Sequence, residues 1–192
     1  MVRAGLTTER VVQAGAELAD EAGFDQVTPS AVARRFGVQV ASLYTHVRGA
    51  HDLKVRVALL ALGELADRAA DALAGRAGRD ALAAFAGVYR DYAHEHPGRW
   101  AAAQFRLDPE HAAASAGPRH TRMMQAILRG YDVPEADHPH AVRLLGSVVH
   151  GFVELESGGA FGHSAPAPGE SWSRILEVLD VTLRNWPGRT GS

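Results

Sequence analysis

The sequence predicts an all-α protein. Apolar residues recur at three- and four-residue spacing along most of the 192 residues, as they do in helices that bury one face. Capping residues such as Thr, Asp, Gly and Pro separate these stretches, and the alternating pattern of β-strands is nearly absent. Because 46% of the residues are hydrophobic, the chain can bury a sizeable core.

Composition narrows the functional classes. The formal net charge of −2 is nearly neutral, so the chain as a whole is not a general polyanion binder. The absence of cysteine excludes disulfides and thiolate metal sites and fits a reducing cytoplasm. There is no apolar run of about 18 residues and no apolar signal core at the N-terminus. We therefore expect a soluble, cytoplasmic protein without a membrane partner.

The first part of the chain predicts three short helices. Thr7 is placed to cap the first helix, and Gly23 ends it. Thr28 caps the second helix, which Gly37 ends. After a short turn, a third helix of about seven residues begins at Val40. The second and third helices, joined by a glycine turn, have the form of a helix-turn-helix, whose second helix enters the major groove of DNA.

The charge of this segment favours DNA binding. From residue 34 to residue 56 the sequence has one anion, Asp52. The five cations are Arg34, Arg35, Arg48, Lys54 and Arg56. A basic patch confined to one segment is typical of a DNA footprint. Two short helices joined by glycine also occur in other all-α proteins, but the N-terminal position, the local charge and the outward hydroxyl groups favour DNA.

The predicted DNA contacts fall into two groups. Glutamine pairs with adenine and valine methyls meet the thymine methyl, so the outward side chains of the third helix are placed to read bases. These side chains are Gln39, Val40, Ser42, Tyr44, Thr45 and His46. Hydroxyls, cations and helix N-termini bind phosphates. The predicted phosphate contacts are Thr28, Ser30, Tyr44, Arg48 and Lys54.

Residues 8–55 resemble the N-terminal domain of the TetR family of transcriptional regulators. The matching segments are Ala14–Leu18, Gly23-Phe24, Thr28, Ala33–Val38, Ser42–Tyr44 with His46, and Asp52-Leu53. The chain departs from the family pattern at Gln39, Val47 and Ala50, where the family usually has Ser or Thr, Phe, and Lys. The resemblance implies a helix-turn-helix DNA-binding domain in residues 1–50 and a helical effector-binding and dimerisation domain in residues 51–192. It also implies repression at an operator, relieved by a small-molecule effector.

Beyond residue 50 the sequence predicts six further helices. Their predicted ranges are about 52–74, 80–96, 99–107, 118–129, 138–157 and 171–186. Residues 110–117 are predicted to form a loop, and the connection 158–169 and the tail 187–192 are predicted to be mobile. The run that begins at His150-Gly151 resembles the C-terminal domain of the WHG-type subgroup of TetR regulators.

The last two predicted helices are strongly apolar and need a partner surface. Burial within one monomer is one alternative. The resemblance favours a four-helix bundle with the same helices of a second subunit, because two DNA-binding domains must reach major grooves ~34–36 Å apart. The predicted homodimer interface consists of Leu144, Leu145, Val148, Phe152, Ile175, Leu176, Leu179 and Leu183.

The middle helices carry aromatic and methionine side chains at helical spacing. Such a stripe is more often core than ligand site, yet pockets in helical domains are lined by the same residue types with a few polar anchors. We predict that a small, largely apolar effector binds there. The predicted lining is Phe85, Tyr89, Tyr92, Trp100, Gln104, Phe105, Met123, Met124, Ile127 and His150.

Other chemistries find little support in the sequence. His94 and His96 would point about 200° apart on a helix and do not readily share a metal ion, and His120 falls near a predicted loop. No Gly-x-Ser-x-Gly motif occurs, and the glycine-rich segment from Gly158 follows a helix rather than a strand. We therefore predict no catalytic residue, metal or cofactor. The rival prediction is a helical small-molecule-binding protein or enzyme whose DNA-binding domain is no longer functional.

Overall fold

The computed structural model describes residues 5–187. In this part of the chain the regular elements are all helical, which confirms the predicted all-α fold. The α-helices are α1 (Thr8–Ala22), α2 (Pro29–Phe36), α3 (Ala50–Leu73), α4 (Gly78–Glu95), α5 (Pro97–Ala103), α6 (Pro109–Ala114), α7 (Gly117–Arg129), α8 (His138–Ser157) and α9 (Pro168–Arg184). The 3₁₀ helices are Phe24–Gln26, Val40–Thr45 and Glu135–Asp137. Within the same residues, no helix is long and apolar enough to cross a membrane.

The chain folds into two compact units. The first comprises the residues up to Leu65 together with Tyr92–Gly117, and the second comprises Ala66–Asp91 together with the residues from Pro118 onward. Helices α3 and α4 therefore each contribute residues to both units. The predicted boundary between residues 50 and 51 divides the chain by function, and it stays a prediction.

Local capping explains the first two helices. The Thr7 hydroxyl accepts a hydrogen bond from the Arg10 N–H at 3.3 Å, at the start of α1. The Thr28 hydroxyl accepts one from the Ala31 N–H at 3.2 Å, at the start of α2. Gly37 ends α2 in the left-handed conformation, with φ of 65°, where a side chain would be strained. These ends are where the sequence predicts them.

The third predicted helix is tighter than expected. Residues Val40–Thr45 form a 3₁₀ helix, which we call the reading helix, instead of an α-helix that continues toward Gly49. Gln39 stands at its N-cap and makes no side-chain capping bond there. Forming the first turn of an α-helix is costly, and this short segment has no side-chain cap to offset the cost. A 3₁₀ helix, which proteins use in short pieces, forms here instead.

The segment predicted as a loop at residues 110–117 is partly helical. Helix α6 begins at Pro109, and the Asp108 carboxylate accepts a hydrogen bond from the His111 N–H at 2.9 Å. The Asp-Pro pair therefore starts a helix, with proline at the first position, between the predicted helix 99–107 and the predicted loop. The last helix also begins earlier than predicted, at Pro168. The predicted mobile tail lies outside the described residues from residue 188 onward.

The core of the first unit joins the three N-terminal elements to α3. Val11, Val32, Leu43, Val47 and Leu53 are each at most 1% exposed and belong to one hydrophobic cluster. Val47, where the family usually has Phe, is thus still fully buried despite its smaller size. The reading helix is fixed to this core through Leu43, which sets the direction of its remaining side chains.

Helix α5 packs closely on α1 in the first unit. At Gly98 a Cβ atom would lie 1.9 Å from the carbonyl oxygen of Ala19 and 2.4 Å from the Asp20 nitrogen. Both atoms belong to the α1 backbone and cannot move aside as a flexible side chain would. Glycine at this position is what allows the two helices to approach each other.

The second unit is built from α7, α8 and α9 with the adjoining parts of α3 and α4. Arg90 of α4 donates two hydrogen bonds to the Glu156 carboxylate of α8, at 2.7 and 2.6 Å. The same guanidinium lies 5.7 Å from the ring centre of Trp172 in α9. One arginine therefore connects three helices of this unit.

Candidate DNA interface and ligand cavity

Most of the predicted base contacts share one exposed surface. The reading helix buries Leu43 and exposes Ser42, Tyr44 and Thr45. Tyr44 is 58% exposed, so its phenol ring stands away from the core. Gln39, which directly precedes the helix, is also exposed. The outward face of the reading helix is therefore polar and accessible.

Two of the predicted base contacts are less accessible. Val40 is half-buried against the core of the first unit, and His46 is half-buried as well. The Thr45 hydroxyl donates a hydrogen bond to the Ser42 carbonyl oxygen at 2.9 Å, so part of its hydrogen-bonding capacity is already used. Gln39, Ser42 and Tyr44 are consequently the best-presented members of the set.

The N-terminus of α2 presents predicted phosphate contacts beside the reading helix, against which α2 packs. Thr28 caps α2, and Ser30 is exposed in its first turn. Unpaired N–H groups and the positive end of the helix dipole attract anions at such a terminus. The geometry suits a phosphate group at this helix end.

The predicted basic patch is partly neutralised within the unit. Arg35 pairs with Glu17 at 2.9 Å and with Glu21 at 2.6 Å. Lys54 lies 3.5 Å from the Asp25 carboxylate and 5.1 Å from the ring centre of Phe24. Ion pairs hold Arg35 and Lys54 on the surface of the unit and reduce the positive charge that they offer to DNA.

Arg34, Arg35 and Arg48 are the exposed cations of the patch, and Arg35 is held in the ion pairs described above. The Arg48 N–H donates a hydrogen bond to the Asp52 carboxylate at 2.9 Å, and Arg56 donates to the same oxygen at 3.0 Å. Partial burial raises the pKa of Asp52, but these two donors bring that pKa below its ordinary value. Asp52 is therefore an anion that fixes the turn between the reading helix and α3.

A charged cluster in the first unit was not foreseen from the sequence. Asp20 of α1 accepts a hydrogen bond from the Arg99 N–H at 2.8 Å, and its other oxygen lies 3.1 Å from His96 Nδ1. Glu64 of α3 accepts a hydrogen bond from the Tyr92 hydroxyl at 2.9 Å. The Arg99 guanidinium lies 3.1 Å from Asp20 and 3.2 Å from Glu64. We call these five residues the Asp20 cluster.

The Asp20 cluster ties α1 and α3 to α5 and the end of α4. Arg99 contacts Asp20 from α5, while Tyr92 approaches Glu64 from α4. Burial, and then the Glu64 carboxylate, raise the pKa of the Tyr92 hydroxyl above its ordinary value, so the hydroxyl stays protonated. Asp20 and Arg99 are 79 residues apart in the chain, and no local pattern could have paired them.

The second unit contains a small cavity. Its polar lining residues are Tyr89 and His150. Its other lining residues are Leu82, Phe85, Met124, Leu145, Gly146 and Val149. The volume is about 20 Å³, enough for roughly one water molecule. Drug-sized ligands need several hundred Å³ or more, so such a ligand would have to widen this cavity.

A buried phenol–imidazole pair adjoins the polar side of the cavity. The Tyr89 hydroxyl lies 2.6 Å from His120 Nδ1, and the two side chains are 4% and 5% exposed. The His150 ring lies 5.4 Å from the Tyr89 ring, edge to face. Burial raises the pKa of Tyr89, whereas burial, and then the neighbouring His120, lower the pKa of His150.

His120 lies in the first turn of α7, within the helix predicted over residues 118–129. Its position relative to Met124 and Ile127 follows the helical period of four and three residues, so the apolar stripe of α7 was the signal that could have found it. In residues 5–187, no group of three or more His, Asp and Glu side chains is arranged to hold a metal ion. The buried histidine is the hydrogen-bonding neighbour of Tyr89, which lines the cavity.

The predicted ligand residues fall into two places. Phe85, Tyr89, Met124 and His150 line the cavity of the second unit. Met123 and Ile127 lie on α7 of the same unit. The remaining four belong to the first unit: Tyr92, Trp100, Gln104 and Phe105. The role of the whole set in ligand binding stays a prediction.

The predicted dimer residues are unevenly accessible. Four of them are buried within the chain: Leu145, Phe152, Leu179 and Leu183. The other four are half-buried: Leu144, Val148, Ile175 and Leu176. Three apolar residues outside the predicted set are far more exposed, at 52%, 55% and 58%: Leu155, Val178 and Val181. The accessible apolar surface of α8 and α9 thus differs from the predicted set.

Comparison with known proteins gives consistent results over most of the chain. The family described as "Tetracyclin repressor-like, C-terminal domain" matches residues 82–179. The uncharacterized HTH-type transcriptional regulator YobS of Bacillus subtilis is 30% identical over 184 residues, which span 96% of this chain and 92% of that protein. The uncharacterized HTH-type transcriptional regulator Rv0681 of Mycobacterium tuberculosis is 35% identical over 160 residues, which span 81% and 72% of the two chains.

Solved structures share the fold at low sequence identity. BioQ with its natural double-stranded DNA operator superposes with a TM-score of 0.70 at 20% identity, over 94% of this chain and 99% of that one. TetR-Q116A from Acinetobacter baumannii AYE in complex with minocycline gives a TM-score of 0.71 at 19% identity, over 96% and 99% of the two chains. These likenesses extend through both compact units.

Proposed function

Since the chain belongs to the TetR family of transcriptional regulators, we propose that it represses transcription as a homodimer bound to an operator and leaves that operator when a small molecule binds. Membership of this family implies that the chain is a DNA-binding transcriptional regulator and not an enzyme. The operator contacts, the homodimer, the repressor role and the release by a ligand are the proposal. The WHG-type subgroup stays a prediction.

The reading helix is the proposed base-reading element. The observation that carries this assignment is the anchoring of Leu43 in the core while Ser42 and Tyr44 remain exposed. Gln39 offers a bidentate amide for adenine, and the Tyr44 hydroxyl is suited to a phosphate. BioQ, which has the same fold, has been solved with its operator, and this supports the assignment.

The exposed side of α8 and α9 is the proposed dimer surface. On α8, Val148 and Leu155 are seven residues apart and share one helical face. On α9, Val178 and Val181 are neighbours at three-residue spacing and are both more than half exposed. A second copy of the same two helices would cover these side chains from water. The buried members of the predicted set would then support this surface from within.

Helix α4 is the proposed link between the ligand and the DNA. It carries Tyr89 of the cavity and Tyr92 of the Asp20 cluster on one continuous helix. A ligand must widen a cavity of about 20 Å³, and a shift of α4 would accommodate it. The same shift would change how α5, through Arg99, holds Asp20 of α1. A ligand that binds the widened state more tightly would favour it and weaken operator binding.

A mobility-shift titration tests the proposed function. Purified protein is mixed with DNA that flanks its own gene and with a shuffled sequence of equal length, at several salt concentrations. We expect preferential binding to one flanking fragment, with an affinity that falls steeply as salt rises, because phosphate contacts release counterions. Equal and weak binding to both DNAs, with preserved folding, would favour the rival prediction of a helical protein whose DNA-binding domain is inactive.

A further inference from the structure

The cavity of the second unit combines an apolar lining with two hydrogen-bonding side chains from two helices. Tyr89 comes from α4 and His150 from α8, and His120 of α7 lies 2.6 Å from the Tyr89 hydroxyl. Tyr89 and His150 give an otherwise apolar cavity one polar side, which suits a ligand with an apolar body and a single polar group.

The cavity contains no fixed charge. Among the described residues that line it, none is ionised while His150 is neutral. The titratable groups that interact with His150 are Tyr89 of α4, His120 of α7 and Glu154 of α8. Glu154 is exposed, and the carboxylate of Glu156 is already paired with Arg90. A cationic ligand would meet no carboxylate in the cavity lining. An anionic ligand would meet the Tyr89 hydroxyl, which can donate a hydrogen bond, and the His150 imidazole, which can take up a proton and then donate one.

We propose that this cavity binds a small organic acid, with an apolar body and one carboxylate held by the Tyr89 hydroxyl and by a His150 imidazole that takes up a proton as the acid binds. This inference rests on the proposed ligand site and specifies its chemistry. The proton comes from solvent, and the bound pair is a carboxylate and an imidazolium. Charge-assisted hydrogen bonds of this kind are stronger than neutral ones, so they select acids over amides of the same shape.

The apolar body of the acid has a direction in which to extend. A Cβ atom added at Gly146 would meet no other heavy atom within 4 Å, so the space beside α8 is open at this point. Met124 is half-buried on the facing helix, and an unbranched methionine side chain adapts its shape readily. Movement of Met124 is therefore the simplest way to enlarge the cavity next to Gly146.

Matched probes test the charge selectivity. The protein is titrated with two sets of probes, each of which contains an acid, an amide and an amine of similar shape. One set is benzoate, benzamide and benzylamine, and the other is octanoate, octanamide and octylamine. Thermal shift and isothermal titration calorimetry report binding. In at least one of the two sets, we expect the acid to bind at least ~10-fold more tightly than the amide and the amine to bind most weakly. Calorimetry in two buffers of different ionisation enthalpy should show uptake of up to one proton per acid bound.

Variants connect this selectivity to the named side chains. His150→Gln and Tyr89→Phe should remove the preference for acid over amide, and His150→Gln should also abolish proton uptake. His140→Gln, at an exposed position of the same helix, is the matched control and should change neither. Gly146→Leu should block all probes, whereas Gly87→Ala, where added Cβ also meets nothing within 4 Å, should not. Retained acid preference in both site variants would overturn the inference.

The outcomes separate this inference from the proposed function. If an amide or amine binds as tightly as its acid and releases the operator, the inference is wrong and ligand-controlled repression stands. If an acid binds with proton uptake that depends on His150 but leaves operator affinity unchanged, the inference stands and release by this ligand is wrong. If no probe of either set binds, the inference is overturned.

Discussion

Individual side chains decide how α1 and α5 can meet. Gly98 touches the α1 backbone so closely that even one methyl group has no room. The Asp20 carboxylate also accepts a hydrogen bond from the Arg99 N–H in the first turn of α5, where N–H groups have no acceptor within the helix. Shape and charge therefore act on the same contact, and each can be tested with a single substitution.

Gly98→Ala should destabilise the protein severely. Overpacking against side chains costs about 1–3 kcal/mol, and a clash with backbone cannot relax as easily, so we expect at least about 3 kcal/mol in urea unfolding. Gly87→Ala is the control, because its Cβ meets nothing within 4 Å and alanine favours a helix. Equal unfolding midpoints for the two variants would mean that α5 does not pack on α1 as described.

His150 should make stability depend on pH. Burial, and then His120, lower the pKa of His150 in the folded state below its ordinary value. The unfolded chain therefore binds more protons, and the free energy of unfolding should fall as the pH drops below about 6.5, by up to ~1.4 kcal/mol per pH unit for one proton. His150→Gln should flatten this part of the profile between pH 7 and pH 5.

The control for this pH profile is His140→Gln, which removes an exposed imidazole from the same helix. Its unfolding profile should follow that of the natural chain. A steep fall between pH 7 and pH 5 in His150→Gln, identical to the natural chain, would assign the dependence to other groups.

At the scale of helices, local signals were sufficient where caps are strong. Thr28 and Gly37 bound α2 at the predicted places because each makes its contact with the adjacent turn. The same signals failed at the uncapped reading helix and at Asp108-Pro109, which starts α6. A proline after a capping residue fits either a stop or a start, and only the packing of the following residues decides between them.

The cavity lining was predictable to the extent that it follows helical periodicity. Phe85, Tyr89 and Met124 were placed in the ligand set from spacing alone, and they do line one cavity. Tyr92 has the same spacing, but it lies in the first unit beside Glu64. Tertiary packing decides where α4 passes from one unit to the other, and local spacing does not report this. The partner of Tyr89, His120, is 31 residues away and could not be assigned from local pattern.

The outer faces of α8 and α9 should govern assembly. Replacing Val178 and Val181 together with lysine places two charges on the proposed dimer surface, and we expect a monomer by light scattering coupled to size exclusion. The side chains are already exposed, so folding should be preserved. Ala126→Lys, at an exposed position of α7, is the control and should remain dimeric. A dimer that survives the double substitution would place the interface elsewhere.

For the whole molecule, the proposed function assigns different roles to the two units. The first unit holds the reading helix and the Asp20 cluster, and the second holds the cavity and the exposed apolar face of α8 and α9. Dimerisation would present two reading helices to one duplex, and α4 would carry the effect of a ligand from one unit to the other. The proposal thus needs one DNA-reading surface on each subunit.

The operator affinity of two reading-helix variants tests most directly whether the reading helix contacts DNA. Dissociation constants are measured for a flanking operator fragment and for random DNA with the natural chain, Tyr44→Ala, Gln39→Ala and the control Arg122→Ala. We expect Tyr44→Ala to weaken binding to both DNAs by similar factors, and Gln39→Ala to lower mainly the operator preference, by roughly tenfold. Unchanged affinity for both DNAs in both variants, at moderate salt, would show that the reading helix does not contact DNA.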